Sequence, residues 1–224
     1  MPDRPKFELQ SPMSQLSPTA HAILDAARRL LVRDGFAELS LEKIAAEAGV
    51  PKSLIRYHFG SKAGLVEVLV DSLIHDANLG LKDEIVQTPA GGARVRRLLD
   101  AQRAMSADQR AFRVFYDMLP NVLRDRGLRD RVAELYEWYR SLDVWALQGA
   151  VVPPGEADLE SLAALAIAVL DGLAIQLLLA PRSFDHTRAF ATWEAMLSAF
   201  VAAPAEALGT LPTSTPQKHI SKDR

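Results

Sequence analysis

The sequence predicts an all-α protein of about nine helices. Three observations carry that expectation. Apolar residues recur at spacings of three and four, segment after segment. No stretch shows the strict alternation of a half-buried strand. The glycine- and proline-bearing stretches "RDGF", "TPAGGA", "VVPPGE" and "PRSFD" cut the chain into pieces of helical length.

The elements follow in order. Residues 1–18 hold Pro2, Pro5, Pro12 and Pro18 among polar residues and read as a flexible arm, where Arg4 and Lys6 are solvated or reach a minor groove. Thr19 is the expected N-cap of a first helix, whose Ile23, Ala26, Ala27, Leu30 and Leu31 share one face until Gly35 ends it. Ser40 caps a second, short helix with Leu41, Ile44, Ala45 and Ala48 on one face. Gly49 breaks it, and Pro51 opens a third helix from the first helical position. A long fourth helix starts near Ser61, and further helices are expected over 94–105, 108–124, 127–148, 159–180 and 186–203, with a flexible tail over 204–224. The segment "LAALAIAVLDGLAIQLLLA" approaches bilayer-spanning length. The central Asp171 and the amphipathic flanks argue for burial in a core or a subunit interface instead, with no membrane partner.

Composition sets the class. Of 224 residues, 49% are hydrophobic and 24% charged, as in a globular protein with a sizeable core, and the absence of cysteine excludes disulfides and thiolate metal sites. That agrees with a cytoplasmic protein, and "MPDRPKFELQSP" lacks the apolar core of a secretory signal. The net charge of −2 is uninformative, but its distribution is not. Between Ala48 and Val66 there is no acidic residue, while Lys52, Arg56 and Lys62 are present. A phosphate backbone senses such local charge.

On the third helix, Ile55 and Phe59 share a face that can pack on Ile44 and Ala45. Lys52, Ser53 and Arg56, and more obliquely Leu54 and Tyr57, then point away from that core. Two helices joined by a short glycine turn, the second presenting such groups, make a helix-turn-helix. Arg and Lys match guanine O6/N7 in the major groove, and an apolar side chain meets a thymine methyl. Tyr57 and His58 can donate to phosphate, and Lys62 reinforces the anion-attracting start of the fourth helix. A solvated hairpin is the plainer alternative, but it leaves Tyr57 and His58 without a use.

The stretch "TAHAILDAARRLLVRDGFAELSLEKIAAEAGVPKSLIRYHFGSKAGLVEVLVDSL", residues 19–73, resembles the N-terminal domain of TetR-family transcriptional regulators. The likeness rests on the Ala-Ala pair of the first helix, the Gly-Phe turn, "IAAEAGV" and "YHFGSKAGL" together. The resemblance implies a helix-turn-helix domain over 19–64 and a ligand-binding and dimerisation domain over 65–203. It further implies a homodimer, often responsive to a small effector, that binds double-stranded operator DNA, more often as repressor than activator. Carried over by position, Ser40 is a phosphate contact, Lys52, Ser53 and Arg56 meet bases or nearby phosphates, Tyr57 and His58 grip phosphate, and Lys62 binds phosphate. Arg56 stands where the family commonly has tyrosine, and Leu54 where it has a small or polar residue. Those departures move the contacts toward guanine and a thymine methyl.

The later chain is less specific. Phe112, Phe115, Tyr116 and Leu119 form one stripe, and Leu128, Val132, Leu135, Tyr139 and Leu142 another, as either core or the wall of a cavity. Tyr116, Asp117, Tyr139, Trp145 and Gln176 are the polar candidates to orient a ligand. "FRVFYDMLPNVLRDRGLRDRVAELYEWYR" looks like the regulatory domain of the branch that includes choline-responsive repressors. By the family analogy the last two helices dimerise, through Leu165, Val169, Gly172, Gln176, Phe190, Trp193, Leu197 and Phe200. Asp171 needs a partner or a proton, from within the interface, across it, or from a cationic ligand. An enzyme is the rival class, with His75 four residues from Asp71. Yet no HExxH, GxSxG or P-loop pattern occurs, and no catalytic residue, metal or cofactor is expected. The other rival is a helical interaction protein that does not bind DNA.

Overall fold

The computed structural model describes residues 16–148 and 158–202, with the side chains of residues 74–80, 82, 83, 201 and 202 outside that description. Arg4, Lys6, the "VVPPGE" breaker, His75 and the tail therefore lie outside the described residues and side chains. Among the described residues there are nine helices and no strand. They are α1 Pro18–Asp34, α2 Leu41–Ala48, α3 Lys52–Phe59, α4 Lys62–Gln87, α5 Gly92–Ala107, α6 Gln109–Arg124, α7 Arg126–Leu147, α8 Leu159–Leu179 and α9 His186–Ala202. The all-α expectation holds.

Short side-chain caps start most of these helices. The first corrects the sequence reading: Ser17, not Thr19, caps α1, its Oγ accepting from Ala20 N at 3.2 Å. Pro18 then takes the first helical position, where a missing N–H is harmless. Ser40 caps α2 through Lys43 N at 3.2 Å, as read from the sequence. Gly49 closes α2 in the left-handed conformation at φ 66°. Pro51 is one residue outside α3 rather than its first residue: at ψ 141° it is extended, and Lys52 begins the helix. Ser61 caps α4, accepting from Gly64 N at 3.0 Å.

The first core cluster is built from Ile23, Leu24, Leu30 and Leu31 of α1, Ile44 of α2, Ile55 of α3, and Leu65 and Leu69 of α4. It continues without a break into Met118 and Val122 of α6 and Leu128 of α7. The helix-turn-helix is thus seated on the rest of the molecule by apolar packing. α4, 26 residues and about 39 Å long, runs from the end of α3 toward α5 and α7. A second cluster joins Ile85, Leu98, Trp138 and Leu142, and α8 packs on α5, α6, α7 and α9. Apolar and long though α8 is, it is a helix of this bundle.

The α3–α4 corner is tight. A Cβ at Gly64 would lie 2.3 Å from the Phe59 carbonyl oxygen, so backbone would have to move. Gly64→Ala should therefore destabilise the fold by about 1–3 kcal/mol, read as a lower urea midpoint at unchanged slope.

Candidate nucleic-acid interface and ligand cavity

α3 has eight residues and one fully buried side chain, Ile55, whose burial supplies about 1.5–3 kcal/mol. Phe59 packs partly against the same cluster. Anchoring that side turns Ser53, Arg56 and Tyr57 outward as exposed residues, with Lys52, Leu54 and His58 half-buried at the edges. Tyr57 is 80% exposed, an unusual setting for a large aromatic ring, and it meets His58 edge-on at 5.0 Å. Lys62 is exposed in the first turn of α4. All these positions lie within one corner of the molecule, together with the start of α2.

Two of the residues are already engaged. Ser40 spends its Oγ as the α2 cap. The Lys52 ammonium donates to the Glu42 carboxylate and holds that carboxyl below the usual range. Sequence reasoning missed this pairing because Glu42 precedes the acid-free stretch. The pair is exposed on both sides, so water and salt screen it and a phosphate can compete for Lys52.

Deeper in the molecule is a cavity of about 460 Å³, within the roughly 300–1,000 Å³ of small-molecule sites. Its apolar wall includes Val70, Leu98, Phe112, Phe115, Leu135 and Leu170. Of the five polar candidates, Tyr139 lines it and the others do not. Tyr116 turns to donate its hydroxyl to the Asp171 backbone carbonyl at 2.8 Å, and burial raises its pKa to about 12. Trp145 is buried under the Arg94 guanidinium, 3.8 Å above its ring. Gln176 is exposed and donates to Gly172 O at 3.1 Å. Asp117 accepts from Phe36 N at 2.5 Å, binding α6 to the turn that follows α1. A second tie runs from Arg131 of α7 to Asp71 of α4 at 2.5 Å.

The polar groups that do line the cavity include Gln102, Tyr136, Asp143 and Asp171. Tyr136 donates its hydroxyl to Asp171 Oδ2 at 2.6 Å, so the odd carboxyl of α8 has a partner inside its own subunit. Burial pushes the Asp171 pKa up, and the tyrosine hydrogen bond partly offsets it. Gln102 Nε2 donates to Asp143 Oδ2 at 2.9 Å. Burial raises the Asp143 pKa to about 8, against the lowering effect of Gln102. Neither Gln102 nor Asp143 was singled out from the sequence. The usable signal was a polar residue on each apolar stripe, Gln102 after Leu98 and Leu99, and Asp143 four residues after Tyr139.

The proposed dimer residues divide. Phe190 has no exposed surface and Leu197 is 5% exposed, each packed within its own subunit. They face inward because α9 uses that side to cover α5 and α8. Trp193 and Phe200 are partly buried in the same clusters. Leu165 is 62% exposed and Gln176 is also exposed, while Val169 and Gly172 are intermediate. Ile175, Leu179 and Met196 extend that exposed apolar surface and were not anticipated.

Residues 23–69 match the family described as "Bacterial regulatory proteins, tetR family", and residues 91–202 match "BetI-type transcriptional repressor, C-terminal". The HTH-type transcriptional regulator TtgR of Pseudomonas putida is 30% identical over 181 residues, covering 75% of this chain and 83% of that protein. A putative transcriptional regulator from Pseudomonas aeruginosa PAO1 superimposes with a TM-score of 0.72 at 25% identity, over 89% of this chain and 99% of that one. A putative transcriptional regulator from Saccharomonospora viridis, solved in complex with choline, has a TM-score of 0.68 at 22% identity, over 82% of this chain and 97% of that one.

Asp143 gives the stability of the fold a pH dependence of definite sign. Its folded pKa lies above the unfolded value, so the stability it contributes is present in acid and lost as pH climbs toward about 8. Asp143→Asn removes that dependence. The variant should gain melting temperature over the parent at pH 8, with a smaller gain at pH 5, in paired thermal melts.

Proposed function

Because the chain belongs to the tetR family of bacterial regulatory proteins, and is a DNA-binding transcriptional regulator, we propose that it works as a ligand-responsive homodimeric repressor of a palindromic operator. The observation that carries this reading is the outward face of α3, where Ser53, Arg56 and Tyr57 stand exposed over a buried Ile55. In this reading Arg56 pairs with guanine and Leu54 meets a thymine methyl. Tyr57, His58, Lys62 and Ser40 hold phosphates, and Lys52 leaves Glu42 for the DNA. Residues 19–64 form the reading module and residues 65–203 the effector-binding and dimerising part. A second copy covers Leu165, Leu179 and Met196, exposed at 62%, 78% and 63%, and a two-fold axis sets the reading helices about 34–36 Å apart.

The cavity supports an effector site, and the choline in the S. viridis neighbour is consistent with a small ligand in this fold. An effector acts by binding more tightly to a conformation that does not fit the operator. The path runs through α6, which both walls the cavity and holds the α1 turn through Asp117. The protein would act in the cytoplasm, where operator DNA is.

Selection of random duplexes by the purified protein should recover a palindrome with half-sites one turn apart. No enrichment by a folded dimer would overturn the reading. On the recovered site Arg56→Ala should cost about 1–3 kcal/mol and relax preference for one base pair, whereas Lys62→Ala weakens operator and random DNA alike. Equal effects of Arg56→Ala on both DNAs would remove Arg56 from base reading. A Leu165→Glu, Leu179→Glu double variant should sediment as a monomer; an intact dimer would remove this face from the interface.

A further inference from the structure

Gln102 and Asp143 are the least satisfied polar pair of the cavity wall, at 4% and 3% exposure. Their one mutual hydrogen bond uses Gln102 Nε2 and Asp143 Oδ2. The Gln102 Oε1 atom is buried and has no hydrogen-bond partner. A buried acceptor without a donor is costly and uncommon, and asks for an explanation. Asp143 adds a second acceptor group beside it, and among the described residues no basic side chain forms an ion pair with it. Asp171, another carboxyl of the wall, differs in having the Tyr136 hydroxyl already on it. The remaining described charged groups of the lining are Arg28, Asp108 and Arg110. Arg28 donates to Ser72, and Asp108 is occupied in capping α6.

Resting on the reading of this cavity as an effector site, we propose that its ligand carries a protonated amine with N–H donors, received jointly by Gln102 Oε1 and the Asp143 carboxylate, while its apolar body fills the space between Phe112, Phe115, Leu135 and Leu170. The chemistry of the pair selects for this class. A neutral hydroxyl brings only one donor and no charge. A quaternary ammonium brings charge but nothing for Oε1 to accept. Without ligand at neutral pH Asp143 is largely protonated, since burial raises its pKa to about 8, and its O–H is then the donor the pair itself holds, which the ammonium replaces. The incoming ammonium favours the carboxylate, so Asp143 gives up its proton to solvent as the ion pair forms.

The test uses the full-length protein and three probes with one apolar body: 4-phenylbutylamine, its N,N,N-trimethylammonium derivative and 4-phenylbutanol, titrated calorimetrically at pH 7. The amine is expected to bind at least about tenfold more tightly than either other probe. Its binding should release close to one proton, obtained by comparing buffers of different ionisation enthalpy, and that of the alcohol none. Asp143→Asn should bring the amine down to the affinity of the alcohol and leave the alcohol nearly unchanged. Should the variant not fold, the wild-type ranking and proton count decide alone. Equal binding of all three probes without proton release would overturn the amine assignment and leave the cavity as a ligand site. Tightest binding of the trimethylammonium probe would also overturn it. If none of the three binds, the effector reading of the cavity fails and the assignment fails with it.

Discussion

One apolar core runs from Ile55 of α3 through α1 and α4 to Met118 and Val122 of α6. The rest of the molecule depends on that continuity. A helix of eight residues is too short to hold itself in water. Its orientation comes from burying Ile55 and Phe59, and the same burial decides that Arg56 and Tyr57 face outward. Because Met118 and Val122 also wall the cavity, the core that orients α3 and the space that can hold a ligand share side chains. Coupling between them needs no long relay: a shift of α6 is felt at α1 through packing and through the Asp117 contact to Phe36 N.

The cavity is built with a similar division. α8 is apolar nearly all round, so it can pack on four helices and still leave Leu165, Ile175 and Leu179 to solvent. Asp171, its carboxyl on the cavity wall, is tolerated because Tyr136 on the neighbouring helix supplies a donor. Asp143 is tolerated by a different route, a proton and a single amide donor. The two acids show how one bundle holds polar groups at different degrees of satisfaction, and the incompletely satisfied one marks where a ligand has something to add.

Much of the helix-turn-helix corner was legible in the sequence because local rules govern it. Ser40 and Gly49 sit at helix ends where cap chemistry is decided by a few neighbours, and Ile55 and Phe59 follow helical periodicity. Errors there were shifts of one or two residues: Ser17 took the cap from Thr19 because Pro18 can begin a helix, and Pro51 stayed extended ahead of α3. The cavity was much less legible. Periodicity tells which residues share a face but not which helix that face meets. Asp117 follows the aromatic stripe of α6 yet reaches Phe36, far away in sequence, and Phe190 belongs to the interior of its own subunit. Gln102 and Asp143 come from different helices, and only their meeting gives either a role.

In the proposed regulator, a positively charged face of α3 and the start of α4 meets phosphate on both half-sites of an operator. The most direct test is the affinity for the selected duplex across a series of potassium chloride concentrations. With about six to ten phosphates neutralised per dimer, affinity should fall by about 10³–10⁵ between 50 and 200 mM salt. An affinity that stays level across that range, with the protein folded and dimeric, would contradict the assignment of Lys52, Arg56, Tyr57, His58 and Lys62 to DNA.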